Sequence, residues 1–200
     1  MKIVLASSNA GKIKELHDML SALDMQVVPQ QELNIEDIEE TGLCFVENAI
    51  LKARNAALMS GMPAIADDSG LEVDLLNGAP GIYSARFAGE GANDASNNQK
   101  LLELLGDAPL QQRSARYQCV IVYMRHANDP TPIICQGSWE GHIALEAQGD
   151  GGFGYDPLFY VQDLKCHAAE IDKQEKNRIS HRGKAIQDLL AKLASTRRAP

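Results

Sequence analysis

Lys2-Ile3-Val4-Leu5-Ala6-Ser7-Ser8-Asn9-Ala10-Gly11-Lys12 opens the chain with an apolar run, a patch of small residues and a cation. The run from Lys2 to Ser7 reads as a short β-strand, and Ser8-Asn9-Ala10-Gly11 as a turn. From Lys12 to Leu23 the apolar residues Ile13, Leu16, Leu20 and Leu23 recur at helical spacing, so the unit is strand, loop, helix. The alternation continues: Val27 and Val28 begin a strand that Pro29 ends, and the acidic stretch from Glu36 to Glu40 leads into a helix from about Leu43 to Ser60. Gly61 and Pro63 stop that helix, and Ala64-Ile65-Ala66 then forms a third strand that runs directly into Asp67-Asp68-Ser69-Gly70. Strands that alternate with helices predict an α/β fold on a parallel or mixed sheet.

Further along, Asn77 to Gly91 is rich in Gly, Ala and Pro and is expected to be a constrained functional loop. A helix from Asn93 to Leu105 is closed by Gly106. Two long strands, Ser114 to Arg125 and Pro132 to Ala144, are joined by the turn Asn128-Asp129-Pro130, an antiparallel hairpin that suits a second lobe. A glycine-rich loop from Gly149 to Asp156 follows. The last helix spans about His181 to Leu193, with Ile186, Leu189, Leu190 and Leu193 on one face, and Arg197-Arg198 form a tail expected to fray.

Hydrophobic residues make up 44% of the 200 and charged residues 23%, the balance of a soluble globular domain. No apolar run approaches the roughly 20 residues of a membrane span, and the opening strand is too short for a signal peptide. A cytoplasmic protein is expected. The 27 acidic against 19 basic residues give a net charge of −8, which opposes binding to a nucleic-acid polymer but leaves room for a small anion in a local basic pocket. Cys44, Cys119, Cys135 and Cys166 form no CxxC pair and are expected to be free buried thiols.

Four segments carry chemistry. At the first strand–helix junction, Ser7 to Lys12 offer backbone N–H groups, a helix N-terminus and a positive charge to an anion, in a frame that is not a Walker A loop; a plain βα turn capped by Ser8 or Asn9 fits as well. In Asp67-Asp68 the strand period sends the two carboxylates to opposite faces, one to work and one to support. Hard cations such as Mg²⁺ take such oxygen ligands and complete their shell with water and phosphate, and Glu39, Glu40 and Glu47 add acid upstream. In Gly151-Gly152-Phe153-Gly154-Tyr155-Asp156-Pro157, glycines around Phe153 let a flat group lie on the ring while Asp156 accepts from a base edge, or the segment is a glycine-shaped turn with core aromatics. Lastly, Lys176-Asn177-Arg178-Ile179-Ser180-His181-Arg182-Gly183-Lys184 places cations in a first helical turn capped by Ser180. The helix dipole disfavours them there, so a phosphate or purine carbonyl is expected to compensate, unless the cluster is simply solvated.

In this order and spacing the motifs resemble the inosine triphosphate pyrophosphatase family, the non-standard purine nucleoside triphosphate pyrophosphatases, and in particular its bacterial dITP/XTP members. The resemblance extends over nearly the whole chain. It rests on Ser8-Asn9-Ala10-Gly11-Lys12, Glu39-Glu40-Thr41-Gly42, Glu47-Asn48-Ala49, Ala66-Asp67-Asp68-Ser69-Gly70-Leu71, Gly78-Ala79-Pro80-Gly81-Ile82-Tyr83-Ser84-Ala85-Arg86, Gly152-Phe153-Gly154-Tyr155-Asp156-Pro157 and Ser180-His181-Arg182-Gly183. Ser7 stands where relatives often carry Thr, which keeps the hydroxyl.

The resemblance implies a single domain with a long mixed β-sheet flanked by helices, two lobes around a central active-site cleft, and a homodimer. It implies cleavage of a nucleoside triphosphate between the α and β phosphates, with Mg²⁺ as cofactor. Ser7, Ser8, Asn9, Ala10, Gly11 and Lys12 would cradle the phosphates. Asp68 would activate water and touch the metal, and Glu39 would be a second metal ligand. Ser69, Phe153, Gly154, Tyr155, Asp156, Lys176, His181 and Arg182 would line the nucleotide site. Arg182 or His181 donating and Asp156 accepting would favour a 6-oxo purine with an N1–H and reject adenine, whose edge is reversed. A nucleotide-binding protein without turnover, or a phosphatase releasing orthophosphate, would share the pocket, and the product separates them.

Overall fold

The computed structural model describes residues 2–20 and 26–196. Its elements are β1 (Lys2–Ala6), α1 (Ala10–Leu20), β2 (Gln26–Pro29), α2 (Phe45–Ser60), β3 (Ala64–Val73), α3 (Asp94–Leu105), β4 (Ser114–Met124), β5 (Ile133–Ile143), β6 (Phe159–Val161), β7 (Cys166–His167), α4 (Lys173–Ile179) and α5 (His181–Thr196). The strands make one seven-stranded sheet in the order β2-β1-β3-β4-β5-β6-β7. β1 runs parallel to both neighbours, with Val4 opposite Val28 on one side and Ala64 on the other. β6 runs antiparallel to β5 and to β7. The sheet is therefore mixed and carries helices, the α/β architecture expected from the sequence.

The chain divides into two compact units. The first takes the residues up to Asp68, Cys119–Gly137 and those from Arg182 onward; the second takes Ser69–Gln118 and Ser138–His181. Strand alternation builds two cores in the first unit. Ile3, Leu5 and Ile65 pack with Leu16 and Leu20 of α1 and Ala185, Ile186, Leu189 and Leu193 of α5. Val4, Ala6, Ala64 and Ala66 pack with Ala49, Ala53, Ala56 and Ala57 of α2. The core of the second unit joins Leu71, Val73, Leu101, Leu105, Tyr117, Trp139, Tyr155 and Phe159.

Several boundaries differ from the sequence reading for visible reasons. α1 begins at Ala10 rather than Lys12 because Asn9 caps it, its side-chain oxygen accepting from the Lys12 N–H at 3.0 Å. Leu23, expected on that helix face, and Arg197-Arg198 lie outside the described residues. β3 continues through Asp67-Asp68-Ser69 to Val73 because both carboxylates find buried cationic or amide partners. α4 lacks apolar periodicity but is capped by Asp172, whose carboxylate accepts from the N–H groups of Gln174 and Glu175 at 3.0 Å each. β6 and β7 span three and two residues, too few for a period to register. All four cysteines are free, but Cys44 is exposed at the start of α2 and Cys166 is only half-buried on the two-residue β7, so the expectation of buried thiols holds for Cys119 and Cys135 and is corrected at the other two.

Candidate active site

The first unit gathers charge at the C-terminal ends of β1 and the leading half of β3. Alternation places Asp67 on the face of Ile65, toward α1 and α5, and Asp68 on the face of Ala66, toward α2. Each aspartate accordingly has its own partners. Asp67 Oδ2 lies 3.3 Å from Lys12 Nζ of α1 and 3.5 Å from a guanidinium nitrogen of Arg182 on α5, with the Asp67 side chain fully buried. Arg182 also bonds Glu15 on α1. Burial opposes the charge on Arg182, yet the carboxylates of Asp67 and Glu15 outweigh it and hold the guanidinium above its ordinary pKa. The cation in the first turn of α5 is thus compensated by two carboxylates of the chain itself, so the helix-dipole argument does not call for a bound phosphate at Arg182.

Asp68 faces α2. Asn48 Nδ2 donates to Asp68 Oδ2 at 3.2 Å, and Lys52 Nζ sits 3.5 Å from Asp68 Oδ1 and 2.6 Å from Glu40 Oε1. The Asn48 amide is oriented by its other end, where Oδ1 accepts the Gly42 N–H at 2.8 Å. A Cβ at Gly42 would lie 2.6 Å from that oxygen, so a larger residue would displace the amide. The small buried residues Ala49, Ala53, Ala56 and Ala57 bring α2 close to the sheet. Asn48 and Lys52, one helical turn apart, thereby reach Asp68. Burial raises the Asp68 pKa from its ordinary value, and Lys52 and Lys12 counter only part of that rise. Burial works against the Lys52 ammonium too, but Asp68, Asp67 and Glu40 outweigh it and raise its pKa.

The junction loop precedes this cluster. Ser7 is buried and its carbonyl accepts from Gln31 Nε2 at 2.7 Å, while Ser8 and Asn9 are exposed. The capping role read as an alternative for Asn9 is present, and Gly11 and Lys12 follow in the first turn of α1. Of the two glutamates weighed upstream, Glu40 is the one joined to Lys52, and Glu39 is exposed. The acidic oxygens of Asp68, Glu40 and Glu39 are the donors a hard cation takes. Among the described residues no group of three or more His, Cys, Asp or Glu could hold a metal ion, so these three carboxylates do not form a cage. An ion that takes one or two carboxylates and completes its shell with water and phosphate is the kind that Asp68 and Glu40, joined through Lys52, could hold.

The second unit gathers aromatic rings around one buried ion pair. Asp156, 3% exposed, accepts at Oδ2 from Lys176 Nζ at 2.6 Å and from the Phe153 N–H at 2.8 Å. Its Oδ1 accepts from the Tyr117 hydroxyl at 3.3 Å. Lys176 Nζ also lies 5.4 Å from the centroid of the Phe153 ring. The loop is pinned from α3, where Asp94 accepts from the Gly154 N–H at 2.7 Å and Asn98 donates to the Gly154 carbonyl at 2.9 Å. Gly152 has φ +74 and no room for a Cβ, which would stand 2.0 Å from Asp156 Oδ2. Tyr155 is buried, with its hydroxyl donating to the Ser84 carbonyl at 2.8 Å, so its ring anchors the loop in the core. His181 is buried and stacks on Tyr117, with centroids 4.7 Å apart and planes 12° from parallel. Ser69 is half-buried on β3.

Lys12, Asp67, Arg182 and Glu15 therefore form one ion-paired group on one face of β3 and Lys52, Asp68 and Glu40 a second on the other, coupled by charge through space, while Phe153, Asp156, Lys176 and His181 belong to one aromatic and ionic cluster in the second unit. Sequence reasoning passed over Glu15, Lys52 and Tyr117 as site residues. Lys52 had a usable signal: with Asn48 it puts polar groups at i, i+4 on a helix face otherwise made of alanine. Glu15 and Tyr117 had none, since their partners are distant in the chain.

The Ham1 family model matches residues 3–192. A relative from Thioalkalivibrio sulfidiphilus, named dITP/XTP pyrophosphatase, is 58% identical over 193 residues, covering 96% of this chain and 98% of its own. One from Salmonella typhimurium with the same name is 59% identical over 189 residues, covering 94% and 96%. The solved structure of a HAM1 protein from Coxiella burnetii superposes with a TM-score of 0.91 at 53% identity, over 98% of this chain and 99% of that one. By sequence along nearly its whole length and by fold, the chain belongs to the Ham1 family.

Proposed function

We propose that this protein hydrolyses the non-standard purine nucleoside triphosphates dITP, ITP and XTP to the nucleoside monophosphate and pyrophosphate. The observation that carries this reading is the buried Asp68 carboxylate, held by Asn48 and Lys52 on a strand whose neighbour β1 leads into Lys12. The activity named for its relatives from Thioalkalivibrio and Salmonella supports it.

Phosphoryl transfer depends on positioning and on stabilising charge. Asp68 would accept a hydrogen bond from the attacking water and orient or deprotonate it. Its raised pKa makes it a better base than an ordinary aspartate. Lys12 and Lys52 would offset negative charge on the departing pyrophosphate, and Ser7 to Gly11 would hold the phosphates at the start of α1. We propose Mg²⁺ as cofactor, with Asp68 and Glu39 as its protein ligands and Glu40 as a neighbouring carboxylate. When bound, the ion would neutralise phosphate charge and help polarise the scissile group.

The base would be read in the second unit. Asp156 would accept from the N1–H of a 6-oxo purine, His181 would donate to the 6-oxo group, and Phe153, Lys176, Gly154, Tyr155 and Ser69 would shape the surroundings. Arg182, engaged with Glu15 and Asp67, would act through the charged network rather than on the base. Adenine presents the reversed edge and would leave buried polar groups unpaired. The role we infer is removal of deaminated purines from the nucleotide pool before they enter DNA or RNA. We propose a cytoplasmic homodimer; no helix among the described residues is long and apolar enough to cross a membrane.

The test is a panel of common and deaminated purine triphosphates assayed for pyrophosphate and orthophosphate with and without Mg²⁺. Pyrophosphate from dITP, ITP and XTP with little from ATP is expected. Orthophosphate as the product, or equal turnover of ATP, would overturn the reading.

A further inference from the structure

One side chain touches both groups assigned above to the purine edge. Tyr117 lies on β4, almost fully buried. Its ring stacks on the His181 imidazole at 4.7 Å and 12°. Its hydroxyl lies 3.3 Å from Asp156 Oδ1 and donates to it, because an ionised carboxylate has only lone pairs to offer. The ring is braced by Phe159, with centroids 4.6 Å apart, and by Trp139 at 6.4 Å. The other oxygen of Asp156 already takes both the Lys176 ammonium and the Phe153 N–H. Oδ1, with the single longer bond from Tyr117, is therefore the oxygen with acceptor capacity left for a ligand.

We propose that Tyr117 is a positioning residue for base discrimination, aligning the His181 donor and the Asp156 acceptor against the keto edge of a 6-oxo purine. The proposal rests on the base-reading roles given above to Asp156 and His181. The ring sets the plane of the imidazole, and the hydroxyl limits rotation of the carboxylate. Neither effect reaches the phosphates, so discrimination moves while kcat on the preferred substrate does not.

Aromatic stacking and one neutral hydrogen bond each have the scale to set the size of the effect. Tyr117→Phe keeps the stack and loses the hydroxyl, and is expected to lower the dITP over dATP ratio of kcat/KM by about threefold. Tyr117→Leu loses both and is expected to lower it by about tenfold or more, through KM rather than kcat. Tyr117→Met fills the ring's volume with a flexible chain and serves as the second non-aromatic variant should the Leu variant fail to fold.

The experiment measures that ratio, together with the Kd ratio of AMP over IMP by calorimetry, in the wild type and the three variants. A graded loss in both ratios, smallest for Phe, with kcat for dITP within about twofold of wild type, is the expected result. A ratio unchanged in a folded Leu or Met variant, or an equal loss for both nucleotides, overturns the proposal. If the wild type releases no pyrophosphate from dITP, the hydrolase reading fails by itself. The AMP over IMP ratio of Kd values still decides on Tyr117.

Discussion

The two clusters solve opposite problems with similar parts. In the first unit seven ionisable side chains, Lys12, Glu15, Glu40, Lys52, Asp67, Asp68 and Arg182, balance each other in a network where each carboxylate faces at least one cation. In the second a single ion pair, Lys176 with Asp156, is set among Tyr117, Phe153, Phe159, Trp139 and His181. A network of paired ammonium groups suits a polyanion whose charge shifts during reaction. A rigid carboxylate among rings suits a flat, neutral group read by hydrogen bonds. The contrast is chemical and lies in the partners: Asp68 meets an amide and an ammonium that counter only part of the desolvation of its charge, whereas Asp156 takes an ammonium, a backbone N–H and a phenol among rings.

The largest effect should come from cutting the first cluster at its base. Asp68→Asn keeps the shape and the Asn48 contact region but removes the proton acceptor. It is expected to lower kcat for dITP about 10³-fold, roughly 4 kcal/mol on the barrier, with dITP affinity changed only a few-fold. Stopped-time pyrophosphate release and calorimetric binding check it. Turnover near the wild-type level would dissolve the functional half of the comparison.

Next in size is a structural break in the same network. Arg182 is almost wholly buried and answers both Glu15 and Asp67. Arg182→Met leaves those carboxylates facing an apolar side chain and is expected to cost about 3 kcal/mol in a urea titration. Adding Asp67→Asn to that variant should recover part of the loss. If Arg182→Met were stability-neutral, the network would be a set of independent pairs.

How far the sequence revealed this contrast depends on spacing. The α/β class, β1, α2, β3 and α5 were legible because apolar residues recur with a period, and Asp67-Asp68 stood out as acid at the end of a strand. The partition of the two aspartates also followed from the strand period, as their separate partners bear out. What makes each cluster a cluster was not legible. Glu15 meets Arg182 across 167 positions and Tyr117 meets Asp156 across 39, and no local pattern encodes either encounter. The compensation expected from a ligand at Arg182 is instead supplied by the fold, because a dipole argument sees one helix and not its neighbours. Glu40 and Glu39 could not be told apart until α2 placed Lys52 beside the former.

A smaller effect belongs to the second cluster. Gly152 holds φ +74, and a Cβ there would collide with Asp156 Oδ2. Gly152→Ala is expected to cost about 2 kcal/mol of stability, from the left-handed backbone and the displaced carboxylate together. It should also reduce discrimination between dITP and dATP more than it reduces kcat. A variant as stable and selective as the wild type would show the loop to be more pliable than its bonds suggest.

The smallest effect separates charge used for function from charge used for folding. Asp129, in the turn between β4 and β5, accepts from the Arg125 guanidinium at 2.8 Å, from the Arg125 N–H at 3.0 Å and from the Thr131 N–H at 3.0 Å. The Arg125 bond comes first in holding its carboxyl well below the usual range. Asp68 is shifted the other way by burial. The signs therefore oppose. The folded state binds fewer protons than the unfolded at Asp129, so the stability it contributes is full above the unfolded pKa of about 3.9 and is lost as pH falls toward the depressed value. The folded state binds more protons at Asp68, so its ionisation penalty sets in as pH rises above about 3.9 and is full once pH exceeds the raised value. Asp129→Asn should thus destabilise by about 1 kcal/mol at neutral pH, with the difference from wild type fading in acid. Asp68→Asn removes a counter-charge of Lys52, which adds a constant offset, but its difference from wild type should drift in the stabilising direction as pH rises from about 4 in the metal-free protein. Urea midpoints from about pH 3 to 8 in EDTA measure both. Two curves bending the same way would mean that the carboxylate assigned to catalysis is held as a structural one is, and the distinction between the clusters would then rest on the aromatic side alone.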